Sequence, residues 1–126
     1  MTDQEPILHR VESEIYGAFR VTQITRGTAL EDQLGLDLVT IPAGTTTEVH
    51  RHPHAENVVY ILSGDATAIV DHVGYRVADG DRLTIRKGVY HRFKTSETPL
   101  TFVSVQSPPI LNKNLNILDT EVLEHL

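Results

Sequence analysis

The chain has 126 residues, enough for one domain and no second. Its formal charge of −6 argues against nucleic acid or an anionic membrane surface as a partner. The absence of cysteine excludes disulfides, thiolate metal sites and a cysteine nucleophile. Aromatics are few at 6% and tryptophan is absent, so the core must be built from Val, Ile, Leu and Ala. No apolar run approaches a signal-sequence core or a membrane span, so the expectation is a soluble cytoplasmic protein.

Residues 1 to 15 are polar and read as a loosely held terminus or an edge segment. Tyr16 to Ile24 alternates as a strand and closes at Arg26-Gly27-Thr28, while Ala29 to Leu34 fits one helical turn or a loop. Leu36 to Ile41 is a strand ended by Pro42-Ala43-Gly44. Further strands are expected at about 45–52, 57–62, 65–71, 74–78, 82–85, 90–95 and 100–106, with turn chemistry at Asp71 to Gly74 and Ala78 to Asp81. Pro108-Pro109 stops the last of them. Asp119 has the chemistry of a helix N-cap, and a short C-terminal helix is expected after it.

Many short strands separated by turn signals indicate an all-β sandwich or barrel. Within VVYIL, Asn57, Val59 and Ile61 share one face and Val58, Tyr60 and Leu62 the other. A strand apolar on both sides is covered on both sides, so the outer row predicts a homodimer.

The chemistry concentrates in GTTTEVHRHPHAENVVYILSG, residues 44 to 64. His50 and His52 are two apart and point the same way on a strand, about 7 Å apart by strand rise. His91 follows a second glycine-marked turn. A polar ring facing a barrel interior without a partner costs about 1–3 kcal/mol, and one metal ion would satisfy all three rings. His9 and His125 are read as ordinary polar residues, and His72 as a solvated turn residue.

These two stretches resemble the paired motifs of the cupin superfamily. The first is Gly, five residues, His-x-His, three or four residues, Glu, six residues, Gly; Gly44, His50, His52 and Gly64 match it. The second is Gly, five residues, Pro-x-Gly, two residues, His, three residues, Asn. Gly80, Gly88 and His91 match it, with Arg86 in place of the Pro and Thr95 in place of the Asn. The resemblance covers about residues 36 to 106 and implies a double-stranded β-helix, a jelly-roll barrel, with His50, His52 and His91 as ligands of a divalent metal. At the fourth ligand position, leaving six residues before Gly64 gives Asn57, whereas leaving three after His52 gives Glu56. One residue reverses the face of a strand. The uninterrupted run back from Gly64 favours Asn57, and a bulge after Pro53 would favour Glu56.

Imidazole donors suit iron, manganese, nickel or zinc and do not choose among them. Three neutral histidines with an amide leave the ion's full charge in the pocket, which favours an anionic ligand. Within the family, three-histidine iron sites without a carboxylate resemble those of thiol and aromatic-acid dioxygenases. Arg86 and Lys87, in the turn before His91, are expected near the barrel mouth, as is His54, where they can meet a carboxylate. The basic run Arg82 to Lys94 otherwise reads as a solvated face. There is no phosphate-cradling glycine loop, nucleophile elbow or His-Glu-x-x-His helix. The sequence therefore reads as a metal-dependent enzyme on a small anionic molecule, dioxygenase-like ahead of isomerase or lyase. The rival is a non-catalytic small-molecule binding or sensing module.

Overall fold

The structure, a computed structural model, describes residues 6–112 and 117–123. Among these residues every regular element is a strand. One sheet has six strands in the order β1 (Glu14–Tyr16), β2 (Phe19–Gln23), β3 (Gly35–Ile41), β10 (Leu100–Ser107), β5 (Glu56–Ser63) and β8 (Arg82–Ile85). The second has five, in the order β13 (Glu121–Val122), β4 (His50–Arg51), β9 (His91–Thr95), β6 (Asp65–Val70) and β7 (Val73–Ala78). A two-stranded ribbon of β11 (Leu111–Asn112) and β12 (Ile117–Leu118) stands apart. All recorded strand pairs are antiparallel, and the two sheets enclose one interior, as the jelly-roll expectation required.

Period-two alternation explains which residues enter that interior. Along β3, Gly35, Asp37, Val39 and Ile41 are buried and their neighbours are half-exposed. On β10 the buried set is Leu100, Phe102, Ser104 and Gln106. On β5, Asn57, Val59 and Ile61 point in while Val58, Tyr60 and Leu62 point out. The antiparallel register then sorts these residues by chemistry. Ile41 lies opposite Leu100 and Val39 opposite Phe102, whereas Asp37 lies opposite Ser104 and Gln106 opposite Asn57. One end of the interior is therefore apolar, joined by Ala66, Ala68, Val77 and Phe93 from the other strands. The other end is polar. Burying a side chain such as Ile61 at the apolar end stabilises by about 1.5–3 kcal/mol.

Several elements differ from the sequence expectation. The strand expected over Tyr16 to Ile24 is the second arm of a hairpin whose first arm, β1, lies in the segment read as an edge; Gly17 turns it with φ of 59°. Residues 29 to 34 form turns, in keeping with the helical turn or loop expected there. The strand expected at 45–52 is reduced to β4 plus one bridge between Thr46 and Lys94. The turn expected at Asp71 to Gly74 is found between β6 and β7, with Asp71 and His72 both at positive φ as a type I′ hairpin turn requires.

The C-terminal helix expected after Asp119 is not found among the described residues. Glu121–Val122 is instead a strand paired with His50–Arg51, because the Asp119 carboxylate accepts hydrogen bonds from the backbone N–H groups of His54 and Ala55 rather than from its own downstream backbone. Residues 124–126, with the expectation for His125, lie outside the described residues.

Candidate metal centre

His50 and His91 occupy directly paired positions on β4 and β9, and His52 lies one residue past the end of β4. Ring centroids are 4.3 Å apart for His50 and His91, 5.2 Å for His50 and His52, and 5.1 Å for His52 and His91. One nitrogen from each ring lies within 4.8 Å of the others. All three residues are buried, and Phe19 packs edge-on against His50 at 5.7 Å.

The second nitrogen of each ring is held by a backbone carbonyl. His50 Nδ1 donates to Glu48 O at 2.9 Å, His52 Nδ1 to Asp119 O at 2.8 Å, and His91 Nδ1 to Val89 O at 3.0 Å. A carbonyl can only accept, so Nδ1 carries the proton in each ring and Nε2 keeps its lone pair. Burial pushes all three imidazoles below their ordinary pKa, His91 to about 3, where the charges of neighbouring His50 and His52 would add to the effect. The rings are thus neutral near pH 7. Three neutral, oriented imidazoles with converging lone pairs fit a divalent transition metal.

The triad forms part of the wall of a cavity of about 500 Å3. Phe19, Val21, Val39, Val59, Phe93 and Phe102 give it an apolar lining, and Asn57, Asp37, Ser104 and Gln106 a polar one. Asn57 is 5% exposed and shares this cavity with the histidines. Glu56 faces outward, where Arg86 Nε donates to both its oxygens at 3.0 Å and the Lys87 backbone N–H at 2.7 Å. The hydrogen bond from the Lys87 backbone, then that from Arg86, holds the Glu56 carboxyl below its usual range. Neither Arg86 nor Lys87 lines the cavity, and among the described residues no lysine or arginine does. His54 lies outside it too, its ring donating to Asp119 Oδ1 at 2.8 Å on the surface. The basic residues are absent from the cavity because Glu56, by facing out, draws their turn to the exterior.

The polar lining contains residues that the motifs do not mark. Gln106 Nε2 donates to Asp37 Oδ2 at 2.7 Å and to Ser104 Oγ at 2.9 Å, and Ser104 Oγ donates to Asn57 Oδ1 at 2.8 Å. Burial raises the Asp37 carboxyl above its ordinary pKa, partly offset by the bond from Gln106. Strand parity carried the signal: Asp37 alternates with Val39 and Ile41, and Ser104 and Gln106 with Phe102. An acid, a hydroxyl and an amide on the inward faces of otherwise apolar strands mark a polar pocket.

Residues 37–106 match the family model described as Cupin domain. The chain belongs to the cupin family. Among curated proteins, this cupin is 29% identical over 85 residues to an uncharacterised protein of Methanocaldococcus jannaschii, a match covering 67% of this chain and 64% of that one. It spans less than two thirds of the length of the curated relatives it matches. Among solved structures, Streptomyces PAC13 with uridine superimposes with a TM-score of 0.73 at 14% identity, over 98% of this chain and 92% of that one. The DMSP lyase DddQ from Ruegeria pomeroyi gives 0.57 at 30% identity, over 60% of this chain and 39% of that one.

Proposed function

We propose that this cupin is a metal-dependent enzyme acting on a small molecule that offers oxygen donors to the ion. One observation carries the reading: three buried histidines, each fixed by a backbone carbonyl, converge at the wall of a cavity. His50, His52 and His91 would hold iron, manganese, nickel or zinc, which supplies Lewis-acid or redox chemistry when bound. The protein's own part is to bind and exclude. Phe19, Phe93 and Phe102 shed water from the body of the substrate, and the neutral imidazoles leave the ion's charge uncancelled. Among the described residues no lysine or arginine is in the lining, so of these groups only the ion would attract a carboxylate substrate.

Oxygenase chemistry leads, because the triad has no adjacent carboxylate from Glu56; lyase chemistry is the competitor, supported by the partial likeness to a lyase. A homodimer through the outer face of the six-stranded sheet belongs to the same proposal. The test is metal analysis of the purified protein, then turnover of a carboxylic-acid panel with and without oxygen. Stoichiometric metal, lost in His91→Ala, with oxygen uptake supports the oxygenase reading; equal anaerobic turnover moves the assignment to a lyase. Tight ligand binding with no turnover overturns the enzyme reading in favour of a binding module.

A further inference from the structure

We infer that Asn57 is not a metal ligand but a hydrogen-bond donor, presenting its side-chain N–H to the acceptor atom of whatever ligand sits beside the three histidines. The inference rests on the metal-site reading above and deepens it.

The argument is one of direction along a hydrogen-bonded chain, beginning at a group whose polarity cannot change. The backbone N–H of Ile110 donates to Gln106 Oε1 at 3.1 Å. That fixes the Gln106 amide, so its NH2 end faces the other way, toward Asp37 Oδ2 and Ser104 Oγ. Ser104 Oγ is thereby an acceptor from Gln106, and its own proton goes to Asn57 Oδ1. The Asn57 oxygen is engaged by Ser104, and the amide is turned so that Nδ2 is the free end. Among the described residues Nδ2 has no hydrogen-bond partner, and it is not a sealed-off orphan: the one buried, unpartnered side-chain atom is Arg92 Nε. Asn57 lines the cavity, so Nδ2 opens into it.

An amide nitrogen bearing two protons has no lone pair to give a metal. It can donate to an oxygen or nitrogen acceptor of the ligand, and it adds no negative charge that would repel an anion. The fourth family position thus selects ligands that place an acceptor beside the histidines. The Gln106 orientation holds whether Asp37 is charged or neutral, because the Ile110 N–H sets it from the backbone, and the Ser104 proton then goes to Asn57 Oδ1 in the structure.

The test uses the full chain loaded with Co2+, and azide as an anionic probe with acceptor nitrogens, read from the visible absorption of cobalt. Asn57→Leu, similar in shape and lacking a donor, should keep one Co2+ per chain and bind azide at least about tenfold more weakly. Ser104→Ala releases the amide from its fixed orientation and should weaken azide severalfold with cobalt retained; it serves even if Asn57→Leu does not fold. Loss of cobalt in Asn57→Leu would show that the amide oxygen is a ligand and overturn the inference. Unchanged azide affinity in both variants would overturn it as well. A wild type that takes up no cobalt, or a His91→Ala variant that takes up as much, sinks the metal site itself and this inference with it.

Discussion

At the scale of single residues, the strand face of Asn57 could be read from the sequence because β5 alternates regularly from Glu56 to Ile61, its register against β10 shifting only beyond Ile61. Parity alone then places Asn57 with Val59 and Ile61, which are buried, and sets Glu56 opposite. Which end of the amide faces the cavity was not legible, since it depends on Gln106 and Ile110, far along the chain. The position of Arg86 and Lys87 was also hidden, because a turn has no period to count and its direction is set by Glu56. Glu56→Gln should accordingly leave metal content unchanged, as measured by elemental analysis. Gly35→Ala should not be silent. A Cβ at that position would collide with Gln106 Oε1, the acceptor that fixes the amide chain. The expected result is a loss of about 1–3 kcal/mol in urea unfolding together with weakened azide binding.

At the scale of elements, β13 shows where sequence signals mislead. Asp is favoured at helix N-caps because its carboxylate accepts backbone N–H groups. Asp119 does that chemistry, but for His54 and Ala55, more than sixty residues away. Its own backbone carbonyl accepts from His52 Nδ1, and Glu121 pairs with Arg51 at 2.6 Å. The short strand therefore braces the ligand-bearing loop from outside. Burial pushes the Asp119 carboxyl up, but bonds from His54 and Ala55 outweigh it and hold it below the usual carboxylate range. A depressed carboxylate contributes stability above its unfolded pKa and loses it as pH falls through the folded value, so this brace weakens only in acid. Asp119→Ala leaves two backbone donors unpaired and should cost about 1–3 kcal/mol for each that stays buried. Metal affinity should fall with it, in a chelator competition at pH 7. Asp119→Asn, which keeps one acceptor oxygen, should lose less.

At the scale of the whole molecule, the fold was legible because alternation and turn chemistry repeat over nine or more strands, so single errors do not alter the architecture. The outer face of the six-stranded sheet carries cross-strand rows Leu36, Val105, Val58 and Leu38, Val103, Tyr60, with Val58, Tyr60 and Leu62 at 36%, 46% and 45% exposure. Light scattering should therefore give twice 14.1 kDa, and Tyr60→Glu should give the monomer mass. A wild-type monomer would refute the proposed dimer. The metal-free protein should also lose stability in mild acid. His50, His52 and His91 hold folded pKa values below 6.5, so the unfolded chain binds more protons once pH falls below that value. For His91 the loss should run from about pH 6.5 toward 3, at up to about 1.4 kcal/mol per pH unit, with His50 and His52 adding to it in the same direction, and be absent above it. Thermal unfolding at pH 7, 6 and 5 measures it. The carbonyl of Asp119 on His52 has one more consequence. An ion held by His50, His52 and His91 would fasten β4, β9 and, through that carbonyl, the segment around residue 119 into a single unit, as a removable cross-link does. Coupling of this kind is reciprocal, so whatever loosens the tail must loosen the ion to the same degree. A protease with access only to the tail thus becomes a gauge of metal occupancy: chelation should speed cleavage near residue 120 and leave the β6–β7 hairpin as resistant as before.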